Sequence, residues 1–198
     1  MREIRMYYII DSSEKMIGYR IGTVNSSLEE SYPMLRAIEK QLDSDILLRV
    51  MNYGTWARWN EDKPTPLYDY VWNDIKAGGA SEFGAALNML GAEIENIKSN
   101  TFIVIVHIAA TNPTDDYETV LKKLETLQTY KNSLRISMCI EDGIDREIAY
   151  KFIGSFGKIL SAKDSSMLRH LIISRADDFF HNTQDDEIRV EDLGLSIL

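Results

Sequence analysis

The sequence predicts an α/β fold, in which a doubly wound, mostly parallel central sheet is flanked by helices as a three-layer sandwich. Strand-like and helix-like segments alternate along the 198 residues, which favours this class over a helical bundle or a β-sandwich. Residues 102–110, FIVIVHIAA, form a continuous apolar run, typical of a strand buried on both faces of a parallel sheet. Residues 78–97 begin with two glycines and continue with helical apolar spacing, as expected for a helix packed on such a sheet.

In the first half of the chain, the aromatic and β-branched run at 5–10 predicts a first strand that ends before Asp11. Apolar residues recur at helical spacing over 18–42 and predict one long or broken helix. Residues 46–53 predict the next strand. The segment 54–76 contains two prolines and is predicted to be mostly loop, with an edge strand.

The second half continues the alternation after the 78–97 helix and the 102–110 strand. We predict a helix over 117–130, a strand over 134–140, a turn at Asp142 and Gly143, a helix over 145–156, a short strand over 157–160 and a helix over 165–180. This arrangement makes one domain of residues 1–183. Residues 184–198 are predicted to be an acidic tail that is disordered or docks on a partner.

Composition excludes several classes of partner. The chain is 44% hydrophobic and 27% charged, and its 31 acidic and 22 basic side chains give a net charge of −9. This acidic excess argues against nucleic acid and anionic membranes as partners, because both are bound through Lys and Arg clusters. The apolar runs are too short for a transmembrane helix or a signal peptide, and the lone Cys139 cannot form an internal disulfide. We therefore expect a cytoplasmic protein with no membrane partner.

The loops at the carboxyl ends of the predicted strands should converge at one edge of the sheet, where ligands bind in such folds. They carry the motifs IIDSSEKMIG, GGASEFGAAL and ATNPTDDYE. In this order and spacing the motifs resemble those of the von Willebrand factor A family, and most of all its bacterial TerY-like branch. The resemblance covers residues 1–183, and the three motifs together are far more specific than any one alone.

The resemblance implies a metal-ion-dependent adhesion site with several changed ligand positions. Family sites take an aspartate and two serines from the first loop, and here these positions hold Asp11, Ser13 and Lys15. The aspartate expected after the central strand is replaced by Ala110. The site is therefore predicted to be degenerate.

The second motif begins with a glycine loop, residues 78–81, in which the family has a threonine ligand. The residue at that threonine position depends on the alignment. It falls on Ser81 when the following helix is the anchor, and on Ala80 when the two glycines are the anchor. We prefer Ser81, because a loop absorbs a one-residue insertion more easily than a helix does.

These changes predict that the site holds no metal, since Lys15 would oppose a divalent ion attracted only by Asp11. The Lys15 ammonium could instead donate to Asp11, Ser13 and Ser81 in place of the ion, or it could extend into solvent. In the alternative hypothesis Asp11, Ser13 and Ser81 still hold Mg²⁺ or Ca²⁺ together with water.

The function expected from this resemblance is a non-catalytic adaptor that binds a protein partner with weak or no dependence on metal. The resemblance implies a bacterial stress-response or tellurium-resistance system, with a kinase or phosphatase of the same system as the partner. The predicted partner-binding face consists of Asp11, Ser12, Ser13, Lys15, Ser81, Glu82, Ala110, Thr111 and Asn112.

A third hypothesis, from a different class, is a serine hydrolase that uses Ser13, His107 and Asp11. We favour a core histidine bonded to backbone, because His107 lies well before the end of its predicted strand and no nucleophile-elbow motif is present.

Several other residues are predicted to have structural roles. Asp115 and Asp116 are expected to start the helix that follows them, and Cys139 is expected to be buried in a strand. An aromatic-rich stretch is predicted to pack in the core or at the sheet edge, with a partner interface as the alternative; it comprises Trp56, Trp59, Tyr68, Tyr70 and Trp72.

Overall fold

The computed structural model describes residues 2–140, 145–155, 157–161 and 165–192, with no side chains described at 161, 165–166 or 183–192. The predicted turn at Asp142 and Gly143 and the last six residues of the predicted tail lie outside the described residues.

A mostly parallel sheet forms the centre of the molecule and confirms the predicted fold class. The parallel strands are β1 (Arg2–Asp11), β2 (Ser44–Tyr53), β5 (Thr101–Ala109), β6 (Leu134–Cys139) and β7 (Lys158–Ser161). The short strands β3 (Ala57–Trp59) and β4 (Thr65–Pro66) pair antiparallel with β2, as expected of an edge. The strand order is β3-β2-β1-β5-β6-β7, with β4 also on β2.

Helices cover both faces of this sheet and complete three layers. The helices are α1 (Tyr19–Glu30), α2 (Tyr32–Leu42), α3 (Phe83–Ile94), α4 (Tyr117–Leu124), α5 (Gln128–Lys131), α6 (Arg146–Ile153) and α7 (Ser165–Asp192). Alternate residues of β1 point to opposite faces. Tyr8 and Ile10 join the core under α1, α2 and α7, whereas Tyr7 and Ile9 join the core under α3 to α6.

The predicted helices differ from the observed ones in bounds or in continuity. The segment 18–42, predicted as one long or broken helix, is broken at Ser31, whose hydroxyl donates to the carbonyl of Leu28, and Pro33 supplies no N–H for a continuous helix. The helix predicted over 117–130 is divided into α4 and α5. The last helix continues beyond residue 180 to Asp192, so residues 184–192 of the predicted tail are helical.

Arg49 holds the loop between β3 and β4 against β2. Its guanidinium donates to the carbonyls of Glu61 and Asp62, pairs with Glu93 at 2.6 Å and lies 4.4 Å from the ring centroid of Trp59. This buried cation fixes the irregular edge of the sheet through contacts that span three separate segments.

The residues of the aromatic-rich stretch differ in exposure, so the prediction of core or edge packing holds for only some of them. Tyr70 is buried, and its hydroxyl donates to Glu61. Trp59 and Trp72 are half-buried. Trp56 and Tyr68 are exposed.

The two aspartates before α4 cap two different helices. Asp116 accepts from the backbone N–H of Thr119 and caps α4, as predicted. Asp115 instead accepts from the N–H groups of Gly84 and Ala85, both at 3.0 Å, at the start of α3. A carboxylate there satisfies backbone donors that have no partner within the helix. Asp115 therefore ties the loop after β5 to the helix after the glycine loop.

We expect Asp115→Ala to lower the free energy of unfolding by about 1–2 kcal/mol, because two N–H groups of α3 lose their acceptor. Asp115→Asn keeps one acceptor oxygen and should lose less. Urea unfolding of the three proteins measures the difference; equal stabilities would show that water replaces the cap.

Candidate functional site

Three polar side chains are buried together with the loops at the carboxyl edge of the sheet. Asp11 ends β1, Ser13 follows it, and Ser81 lies two residues before α3; their relative exposures are 0%, 3% and 2%. Backbone hydrogen bonds join their loops. Gly78 N donates to the Ser12 carbonyl at 2.7 Å, and Glu14 N donates to the Gly79 carbonyl at 2.9 Å.

Gly79 allows the glycine loop to approach the loop after β2. Its φ is +86°, and a Cβ atom there would lie 2.2 Å from the hydroxyl oxygen of Thr55. Both features require glycine. The Thr55 hydroxyl accepts from Ala80 N at 3.1 Å, which orients the residues that lead into Ser81.

Three oxygens in this site have no hydrogen-bond partner in the described part of the chain: Asp11 Oδ2, Ser13 Oγ and Ser81 Oγ. The other carboxylate oxygen, Asp11 Oδ1, accepts from Ser13 N at 2.8 Å. Buried polar atoms are nearly always paired, and an unpaired one costs about 1–3 kcal/mol. The three oxygens are therefore available to coordinate a cation or to hydrogen-bond to a bound group.

The electrostatics of Asp11 reflect its burial. Loss of hydration raises the pKa of its carboxyl above the ordinary value, and the nearby backbone N–H and hydroxyl of Ser13, together with the backbone N–H groups of Ala110 and Thr111, partly oppose this shift. Ala110 is itself buried and supplies only a methyl group. The carboxylate thus faces backbone amides of the loop after β5, and the position at which the motif resemblance led us to expect a second aspartate supplies no carboxylate.

Ser81 occupies the position that the helix-anchored alignment predicts for a site hydroxyl. Its backbone is held by Thr114, whose N–H donates to the Ser81 carbonyl at 2.8 Å and whose hydroxyl accepts from Ser81 N at 3.2 Å. The neighbouring Ala80 is only half-buried. The loop after β5 therefore places Ser81, rather than Ala80, with a buried side chain.

Lys15 extends into solvent. It lies in the short 3-10 turn Glu14–Met16, where Met16 is fully buried and takes the inward position. Within the described residues its ammonium forms no ion pair with Asp11, and the oxygens of Asp11, Ser13 and Ser81 that it was expected to bond have no partner. The arrangement in which Lys15 replaces the ion is not formed, because the turn directs this side chain outward.

The other residues of the predicted face surround Asp11, Ser13 and Ser81. Ser12 is buried and bonded to Asn52 and to the Tyr53 carbonyl, so its hydroxyl is already used within the protein. Thr111 is buried, Glu82 is half-buried and Asn112 is exposed. Asn112 accepts from Asp145 N at 2.7 Å and so connects to the loop before α6.

Exposed apolar side chains adjoin the site, and sequence reasoning missed two of them. Ile17 and Tyr19 follow the first loop and are 60% and 82% exposed, and Trp56 follows the Thr55 contact and is 79% exposed. Their sequence signal was weak, since Ile17 also fits the helical spacing of Ile21 and Val24 in the next segment.

His107 is a core residue and does not join a catalytic triad. Its Nε2 lies 2.8 Å from the Tyr53 hydroxyl, and its ring stacks on Phe83 with 4.2 Å between ring centroids. Burial lowers the pKa of His107 to about 3. The prediction of a core histidine is confirmed, although its partner is a tyrosine hydroxyl rather than backbone. No hydrogen bond in the described residues joins it to Ser13 or Asp11.

Within the described residues, no group of three or more His, Cys, Asp or Glu side chains is placed to hold a metal, so a cation at Asp11 would depend on hydroxyl ligands. None of the described helices has the length and apolar character needed to cross a membrane.

Solved structures of von Willebrand factor A domains are the structural neighbours of this chain. A von Willebrand factor type A protein from Catenulispora acidiphila is 13% identical, with a TM-score of 0.63 over 90% of this chain and 42% of that chain. The ArnB paralog VWA2 from Sulfolobus acidocaldarius is 16% identical, with a TM-score of 0.63 over 86% and 44% of the two chains.

Proximal thread matrix protein 1 from the mussel byssus, in a structure with a zinc-occupied MIDAS motif, is 9% identical. Its TM-score is 0.60 over 88% of this chain and 46% of that chain. This chain thus spans less than half the length of each neighbour. No family model matches the sequence, and no curated protein matches it. At these identities the neighbours establish the von Willebrand A fold.

In the absence of divalent cations, we expect Asp11→Asn to weaken the pH dependence of stability. The pKa of Asp11 is raised above 3.8 in the folded chain, so the native state binds this proton more tightly than the unfolded state. The resulting stabilisation is complete below pH 3.8 and is lost as the pH rises through the folded-state pKa. Urea unfolding in EDTA from pH 3.5 to 7 measures it; identical slopes for both proteins would contradict the shift.

Proposed function

We propose that this chain is a non-catalytic protein-binding module whose recognition face is the carboxyl edge of the sheet. The observation that carries the proposal is the set of three buried oxygens, of Asp11, Ser13 and Ser81, that have no hydrogen-bond partner among the described residues. Around them lie exposed apolar side chains and the exposed Lys15 and Asn112. Exposed aromatic and aliphatic side chains beside polar and charged ones give the mixed composition of a protein-binding surface.

The three oxygens match the ligands of a hard divalent cation. Mg²⁺ and Mn²⁺ take oxygen ligands and keep several waters, so Asp11, Ser13 and Ser81 would hold the ion and leave a position for an acidic side chain of the partner. The set contains a single carboxylate, and amide donors of Ala110 and Thr111 face it. We therefore infer weak cation binding and weakly metal-dependent partner binding.

The cellular setting is proposed from the motif resemblance. We place the module in the cytoplasm, as an adaptor in a bacterial stress-response or signalling system of the tellurium-resistance type, with a kinase or phosphatase of that system as its partner. The net charge of −9 supports a protein partner over nucleic acid or membrane.

Ser81→Ala tests whether the oxygens hold a cation. In EDTA the variant should be at least as stable as the parent, because a buried unpaired hydroxyl is removed. With millimolar Mn²⁺, Mg²⁺ or Zn²⁺ the parent should gain melting temperature and the variant should not. Thermal melts measure both. No cation-dependent gain in the parent would overturn the cation assignment, while partner binding would remain open to the cross-linking test below.

Ala110→Asp tests the missing ligand position, with Ala110→Asn as a control of equal shape. Without metal the aspartate should destabilise the fold, since two carboxylates would be buried side by side. Added Mg²⁺ should restore stability and should bind more tightly than to the parent, whereas the asparagine variant should respond much less. If both variants respond equally to Mg²⁺, the assignment of this position is incorrect. The double variant Lys15→Ser with Ala110→Asp measures how much the exposed Lys15 ammonium weakens Mg²⁺ binding.

Site-specific photo-cross-linking tests the recognition face. A benzoylphenylalanine at Lys15 should capture a defined partner in the native cytosol, and the same group at Ser99 should not. Both positions are exposed, but Ser99 lies just before β5, at the amino-terminal ends of the parallel strands and so on the opposite side from the recognition face. The Lys15 adduct should diminish when Ser81→Trp is added to block the site. Equal capture from both positions would contradict this placement of the face.

A further inference from the structure

A buried pair of polar side chains lies beside the carboxyl-edge site and is not used by the function proposed above. The hydroxyl of Tyr53 lies 2.8 Å from His107 Nε2, and the relative exposures of the two residues are 1% and 0%. The ring of Phe83 packs against both, with centroid distances of 5.5 Å to Tyr53 and 4.2 Å to His107. Phe83 follows Ser81 by two residues, and its N–H donates to the Ser81 carbonyl at 3.1 Å. The same aromatic cluster therefore positions the pair and the serine of the site.

Tyr53 connects this pair to the site. It ends β2 opposite Asp11 in the strand register. Burial raises the pKa of Tyr53 well above its ordinary value, the carboxylates of Asp11 and Asp115 raise it further, and the Ser81 hydroxyl lowers it. The Tyr53 hydroxyl thus keeps its proton and lies within electrostatic reach of all three groups. The hydroxyls of Tyr53 and Ser81 are close, although their geometry is not that of a hydrogen bond.

His107 decides the direction of the hydrogen bond within the pair. Burial lowers the pKa of His107 to about 3, so the imidazole is neutral and carries one N–H. Its Nδ1 has no hydrogen-bond partner among the described residues. Because a buried N–H without an acceptor is rarer in native proteins than a bare acceptor, the proton belongs on Nε2. His107 then donates to the Tyr53 oxygen.

The hydrogen of the Tyr53 hydroxyl is consequently directed away from His107. A tyrosine hydroxyl has one hydrogen, and an oxygen that accepts from Nε2 does not also donate to that nitrogen. The carboxylates of Asp11 and Asp115 attract this hydrogen toward the site. A divalent cation held by Asp11 and Ser81 would face the positive end of the hydroxyl dipole, which opposes binding.

We propose that Tyr53, oriented by His107, is a specificity-determining residue of the carboxyl-edge site, because its hydroxyl hydrogen points toward Ser81 and lowers the affinity for divalent cations. This role rests on the cation site proposed above. It adds a second cause of weak cation binding to the absent carboxylate at Ala110.

Nitrogen-15 NMR of the His107 imidazole tests the direction of the hydrogen bond in the metal-free parent. The protonated and the bare nitrogen of a neutral imidazole have well-separated chemical shifts. His107 is identified by shifts that stay constant between about pH 5 and 8, where an ordinary histidine titrates, since its pKa is about 3. Nε2 should carry the proton. A proton on Nδ1 would overturn the proposal, and this measurement needs no variant.

Tyr53→Phe tests the effect on cations, with Tyr130→Phe as the matched control. Tyr130 is buried in the same core, and its hydroxyl donates to the Phe152 carbonyl at 3.3 Å. In EDTA both variants should lose stability, because each leaves a buried polar group without its partner. Tyr53→Phe should nevertheless bind Mg²⁺ roughly fivefold more tightly than the parent, an effect of the size of one ordinary hydrogen bond. Tyr130→Phe should bind Mg²⁺ as the parent does.

Calorimetric titration with Mg²⁺ measures these affinities. Tighter binding by Tyr53→Phe alone supports the proposal, since a purely structural role of Tyr53 would not raise the affinity. Binding by Tyr53→Phe that equals or falls below that of the parent would overturn the proposal and leave the cation site intact. If neither the parent nor Tyr53→Phe binds Mg²⁺, the cation site itself is wrong, and this role of Tyr53 is wrong with it.

Discussion

The position of β1 between β2 and β5 is the constraint on which the rest of the structure depends. Both pairings are parallel, with Asp11 opposite Tyr53 and Ile10 opposite Ile108. Strands that run in the same direction end at the same edge, so loops far apart in sequence meet there. The glycine loop then joins them through backbone hydrogen bonds at Gly78 and Gly79. A change in register would move Asp11 to the other face and separate it from Ser81.

Burial of polar groups at this edge carries an energetic cost that the fold tolerates. Within the described residues, one carboxylate oxygen of Asp11 and the hydroxyls of Ser13 and Ser81 lack partners, whereas Asp115 and Thr114 are hydrogen-bonded to α3 and to Ser81. In native proteins an unpaired buried group usually has a specific explanation, such as a functional role or a bound water or ion.

The contacts around His107 explain why this side chain is structural. Its strand lies in the centre of the sheet, so the ring points into the core under α3 and α6 and stacks on Phe83. The apolar surroundings keep the imidazole neutral, and the Tyr53 hydroxyl bonds to it. Tyr53 ends β2 directly beside Asp11. The hydrogen bond between Tyr53 and His107 therefore connects the core to the residues of the site.

The sequence by itself determined the alternating α/β architecture and nearly every strand, because buried parallel strands read as apolar runs and flanking helices show a 3.6-residue period. It also indicated Asp11, Ser13 and Ser81 through the order of three motifs. Only the tertiary structure decided the direction of Lys15, because that depends on Met16 being buried within a short turn. Likewise, Asp115 caps a helix 30 residues away in sequence. Local patterns encode which residues form an element, whereas contacts between distant segments decide where each side chain finds, or lacks, a partner.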